Sequence, residues 1–162
     1  MNRMEKKLLV LGADNARMDL IDCAKKMGCT VYACSGSYTD KGISEADYFE
    51  QIDVADADKI SRYVRDNKID CVYSVGNGAA VTTLSKAAEN QNLFHFVSGE
   101  TADICNQKHR MREALGKDFR FQVPFSVCET LAEARCADFF PLTVSPIDSR
   151  GQKEIFRAEN AE

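Results

Sequence analysis

The chain holds only two histidines, His95 and His109, and no tryptophan in 162 residues. That supply argues against a histidine-based metal site. Its seven cysteines, Cys23, Cys29, Cys34, Cys71, Cys105, Cys128 and Cys136, are odd in number and form no C-x-x-C pair. They read as small hydrophobes with reduced thiols, the usage of a cytoplasmic protein, and not as a disulfide frame or a zinc site. No apolar run approaches the ~18 residues that a membrane span needs. The N-terminal MNRMEKK passes straight into a strand-like run and lacks a signal-peptide core. An excess of one sign of charge is also missing, with 21 Lys and Arg against 25 Asp and Glu. Without a basic face, a nucleic-acid partner is not expected. The length suits one domain of ordinary size, or one plus part of another.

What is present begins with KKLLVLGADNARMDLIDCAKKMG, residues 6–28. Leu8 to Leu11 form a continuous apolar run, the mark of a strand buried on both faces. Gly12 ends it. Ala16, Leu20, Ala24 and Met27 recur at helical spacing, with Asp14 or Asn15 as N-cap and Gly28 as the stop. A buried strand turning into a helix aims backbone N–H groups and the helix dipole at one spot, which suits a phosphate or carboxylate. Gly12, Ala13, Asp14 and Asn15 are therefore candidate ligand contacts. The second and third glycines of a dinucleotide fingerprint are missing and Asp14 would repel a pyrophosphate, which places NAD well below a small-molecule site.

The same alternation continues. Thr30–Cys34 and Tyr48–Ile52 read as strands, and Asp56 caps a helix with Ala57, Ile60, Tyr63 and Val64 inward. Ile69–Val75 is a fourth strand. Gly76, Asn77 and Gly78 turn it into a helix with Val81, Leu84 and Ala88 inward, and Leu93–Val97 reads as a fifth strand. The predicted fold is α/β, a Rossmann-like parallel sheet with helices on both faces, spanning 1–98. Ligands of such sheets sit beyond the strands' carboxyl ends, so the turns 12–16 and 74–79 should open on one edge. Their glycines serve tight turning equally well.

Residues 99–162 change character. One helix is expected with Ile104, Met111 and Leu115 on a stripe that also carries Lys108, a lysine that must either snorkel or meet an anion. A strand-like FSV follows Pro124, then a helix over 129–137. Pro141–Pro146 and Ile155–Arg157 form a small β-hairpin, which is not stable alone.

The order of these pieces resembles the N-terminal part of ATP-grasp enzymes of the carbamoyl-phosphate-synthase and carboxylate–amine ligase kind. The carriers are KKLLVLGA with AKKMG, SEADYFEQIDVADADKI, IDCVYSVGNGAAVTTLSKAAE, NQKHRMREAL and FPLTVSPIDSRGQKEIFR. The resemblance implies a pre-ATP-grasp domain that holds a carboxylate or phosphorylated substrate, followed by the first strands of a nucleotide domain. It also implies ATP and Mg2+ as cofactors of the full-length family. It places a nucleotide-contacting lysine at Lys108 and a phosphate-covering loop at Ser149, Arg150 and Gly151. A second nucleotide lysine falls on Ser145, whose neutral hydroxyl cannot replace an ammonium. Glu154 adds negative charge to the loop, and Asn77 stands where an acid is common. The family's magnesium carboxylates and catalytic arginine lie beyond Glu162.

The expected function is accordingly the N-terminal portion of an ATP-dependent ligase-like protein, not catalytic as this chain alone and binding ATP weakly or not at all. The alternative is a non-catalytic small-molecule-binding or regulatory module, which Ser145 favours. An unrelated nucleotide-binding α/β domain is disfavoured by the altered first turn. The partners expected are a small-molecule carboxylate or phosphorylated substrate, with no nucleic acid and no membrane. A homo-oligomer is left open.

Overall fold

β1, Lys6–Leu11, lies at the interior of a four-stranded parallel sheet because its side chains are apolar in both directions. Leu9 and Leu11 point to one face and Val10 to the other, and all three are fully buried. Each such side chain contributes roughly 1.5–3 kcal/mol by leaving water. The computed structural model describes residues 5–76, 78–147 and 155–160. These belong to two compact units, Met1–Asn106 and Gln107–Glu162.

In the first unit β2 (Cys29–Ser35), β3 (Tyr48–Gln51) and β4 (Cys71–Tyr73) join β1 in the order β3-β2-β1-β4. Every pairing is parallel, with Val10 opposite Ala33 on one side and Tyr73 on the other. Helix α1, Asn15–Lys26, covers one face through Ile21 and Ala24, packed with Val10 and Val31. Helices α2 (Ala57–Asn67) and α3 (Gly78–Asn90) cover the other, where Ile60, Val64, Leu84 and Ala87 meet Leu9, Leu11 and Val72. Helix α4, Gly99–Asn106, packs on α3. The α/β architecture expected from the alternation of elements is the one observed.

Several expectations are corrected. Leu93–Val97 is not a strand: Phe94 is 80% exposed and Phe96 55%, and Leu93 instead closes the end of α3 by donating to the Ala88 carbonyl. The aromatic composition has the look of a strand, but no sheet position takes it. The buried stripe of α1 is Arg17, Ile21 and Ala24, one residue further round than the predicted one, with Ala16 exposed and Met27 63% exposed. The single helix expected after residue 98 is two, because Gln107 is extended (φ -115°, ψ 107°) between α4 and α5, Lys108–Leu115.

The second unit holds α5, a short helix α6 (Leu131–Arg135), and the antiparallel pair β5 (Leu142–Val144) and β6 (Phe156–Ala158). The expected hairpin strands are present. The FSV stretch at 125–127 is irregular, and α6 is shorter than the helix expected over 129–137. All seven cysteine thiols are free, and burial with the nearby Glu50 pushes the Cys34 thiol up to about 12.

Two carboxylates fasten the sheet at the strands' starting edge. Asp47 accepts from the Val31 amide at 2.8 Å and pairs with Lys25 at 2.9 Å. Asp70 accepts from Lys6 Nζ at 2.8 Å and the Lys7 amide at 2.9 Å. The Val31 amide, then Lys25, holds the Asp47 carboxyl below its ordinary value, and Lys6, then the Lys7 amide, does so for Asp70. A carboxyl lowered on folding contributes stability above the unfolded value of about 3.9 and loses it as pH falls through the folded value. Urea unfolding should therefore show the native chain losing more stability below about pH 4 than an Asp47→Asn, Asp70→Asn variant. Identical pH slopes would contradict these links.

Candidate functional site

Strand order reverses between β1 and β4, and since these two are parallel neighbours the turns that follow them share one edge. Ser74 fixes the relation directly. It is buried and its Oγ donates to the Leu11 carbonyl at 2.7 Å, tying the exit of β4 to the exit of β1. The sharing of an edge by turns 12–16 and 74–79 is thus a property of the described backbone, Asn77 lying outside the described residues.

The first turn has already committed two of its donors. Gly12 N–H donates to the Cys34 carbonyl at 2.7 Å, prolonging the β1–β2 ladder. Ala16 N–H donates to Asp14 Oδ1 at 3.1 Å, so Asp14, not Asn15, is the N-cap of α1. Ala13 is fully buried and its carbonyl accepts from Gly42 at 2.8 Å, where the 3-10 turn Lys41–Ile43 closes over it. Asp14 and Asn15 are exposed at the rim. In the fourth turn Gly76 has φ +69° with open space beside it. Gly78 begins α3 and admits Asn106: a Cβ there would lie 2.1 Å from Asn106 Oδ1, so its lack of a side chain serves helix packing.

The residue that sequence reasoning missed is Arg17. Its side chain is only 6% exposed, at the head of the stripe that α1 turns inward. Its Nη1 donates to Asp14 Oδ2, while its Nε is buried and makes no hydrogen bond. Gly12 (φ +93°) makes room for it: a Cβ on Gly12 would come 3.0 Å from Nε and 3.4 Å from Cζ. The available signal was an arginine at i, with Ile21 and Ala24 at i+4 and i+7. A buried guanidinium that is half satisfied is costly, since desolvation removes its hydration without replacing it.

The other candidates are in the second unit. Lys108 is the first residue of α5 and is exposed, so the sequence-predicted stripe does not bury it. Ser145 follows β5 and is exposed. Ser149, Arg150 and Gly151, with Glu154, lie outside the described residues. This unit also contains a cleft of about 550 Å³ lined by Arg112, Lys117, Gln122, Pro124 and Phe125, which sequence reasoning did not find. Arg112 stacks over the Phe125 ring at 5.4 Å and its carbonyl accepts from Gln122 Nε2 at 3.1 Å. Among the described residues no cluster of metal-ligating side chains occurs, and no helix is long and apolar enough to cross a membrane.

Gly12→Ala places a side chain at positive φ and against Arg17, so it should lower unfolding stability by roughly 1–2 kcal/mol. Urea denaturation checks this, and an unchanged midpoint would show that the turn relaxes without cost.

No family model matches the chain. It is 23% identical over 166 residues to the formate-dependent phosphoribosylglycinamide formyltransferase of Prochlorococcus marinus strain MIT 9303, covering 98% of this chain and 42% of that protein. The chain thus spans less than half the length of the curated relatives it matches. Among solved structures, the L-amino acid ligase of Bacillus licheniformis superposes with TM-score 0.76 at 20% identity, over 96% of this chain and 39% of that one. The N5-carboxyaminoimidazole synthetase of Staphylococcus aureus complexed with ADP gives TM-score 0.75 at 15% identity, over 99% and 43%. Over nearly its whole length, then, the chain is similar to the N-terminal part of ATP-grasp-related proteins.

Proposed function

We propose that this chain is the substrate-holding N-terminal portion of an ATP-grasp ligase-like protein, whose full reaction activates a carboxylate with ATP and Mg2+ and passes it to an amine. The observation that carries the reading is the Ser74–Leu11 hydrogen bond at 2.7 Å, which locks two glycine-containing turns together where strand order reverses. Ligands of open α/β sheets lie at that point. We read the sheet as Rossmann-like on the same ground. A small carboxylate or phosphorylated substrate, placed by turns 12–16 and 74–79, agrees with the chemistry named in the matched formate-dependent relatives.

The second unit is not expected to hold a triphosphate tightly. Lys108 offers one ammonium at the start of α5, and Ser145 offers a hydroxyl where the resemblance calls for a second ammonium. An exposed lysine at a helix N-terminus adds charge but fixes no geometry. Ser145 is also the feature that favours a second reading, a non-catalytic small-molecule-binding or regulatory module built on the same edge. In both readings the first unit binds and the chain alone does not transfer phosphoryl groups.

Calorimetry with ATP and Mg2+ tests this division of labour. Lys108 alone supplies one charge-assisted contact of about 1.5–3 kcal/mol, too little for tight binding. No micromolar binding and no ATP hydrolysis are expected, and Ser145→Lys should improve binding only modestly. Micromolar affinity of the unmodified chain, lost in Lys108→Ala, would contradict the proposal.

A further inference from the structure

We propose that Arg17 is the anchor of the ligand at this edge and that the group it receives is a carboxylate, with Asp14 as its built-in competitor. The inference rests on the reading of the edge as a small-molecule site and names the residue and the chemistry that reading lacks. Three observations support it. Two of the first turn's amides are already committed, Gly12 N–H to Cys34 and Ala16 N–H to Asp14, so anion recognition there calls for a side chain beside the amides that remain. Arg17 is that side chain, 94% buried when its 6% exposure is taken from the whole, and its Nε is unpartnered. Gly12 lets the guanidinium lie against the turn itself, with Nε and Cζ within 3.4 Å of where a Cβ would stand.

Asp14 indicates the ligand class. Its carboxylate already bonds Nη1, so one edge of the guanidinium is satisfied by the group the proposal assigns to the other. The Nε edge of a guanidinium pairs with a carboxylate through two parallel N–H donors, giving geometry as well as charge. Asp14 is 53% exposed and held by local contacts with Ala16 and Arg17, so it is the member of the pair that can move aside. Its negative charge opposes a dianionic phosphate more than a monoanionic carboxylate. That ordering selects a carboxylic acid.

The test is a titration of the nitrogen-15-labelled chain, following the Arg17 Nε–H resonance assigned by triple-resonance spectroscopy. Sodium acetate and inorganic phosphate are the probes, with chloride holding ionic strength constant. Acetate should shift the Arg17 Nε–H saturably and at lower concentration than phosphate. Asp14→Asn removes the competing charge and keeps a capping residue, as does Asp14→Ser, so each should lower the half-saturating acetate concentration about tenfold. Three results would overturn the inference: a still Arg17 resonance while the Asn15 or Gly76 amides shift, phosphate saturating first, or no gain in either Asp14 variant. The first leaves the edge a binding site without Arg17. No saturable shift anywhere at the edge overturns the small-molecule reading as well.

Discussion

Everything in the first unit follows from the need to bury β1 on both faces. Leu9 and Leu11 demand a layer on one side and Val10 a layer on the other, which places helices above and below and strands on both flanks. A strand so enclosed can meet solvent only at its ends. Its first end is sealed by Asp70, which reaches across from the start of β4. Its other end opens at Gly12, and there the chain places a buried arginine, a half-exposed aspartate and the tether from Ser74. The candidate site is therefore a consequence of the sheet, because the edge is where polar groups can be held without interrupting the apolar layers.

The sheet was legible because its signals are local and redundant. The run Leu8–Leu11, the stop at Gly12 and the positive-φ Gly28 each identify the opening strand and helix independently. Asp56 was legible as a cap for the same reason, its side chain accepting from Lys59 N–H three residues on. Leu93–Val97 shows the limit of composition. Its aromatic and branched residues favour a strand, but a strand also requires a neighbour with free donors and a layer to cover it, and those are tertiary conditions.

Arg17 was passed over and Lys108 was placed on a stripe that the structure does not continue. Periodicity assigned the inward face of α1 by its apolar residues and passed over Arg17, although one further step of rotation puts it with Ile21 and Ala24. Lys108 looked central to an apolar stripe because a continuous helix was assumed through Gln107, and the extended backbone there resets the phase. Both have one cause: helical phase is accumulated along a chain and fails wherever rotation or continuity is off by a single residue. Without Arg17, attention falls on the turn's backbone amides, two of which, Gly12's and Ala16's, the fold has already committed.

The proposal that the edge between β1 and β4 holds an anionic small molecule is open to a direct measurement. The most direct measurement is a crystal structure of the chain grown from malonate, a small dicarboxylate. Ordered malonate is expected against the turns 12–16 and 74–79. Malonate ordered elsewhere on the molecule, with that edge left to solvent, would contradict it.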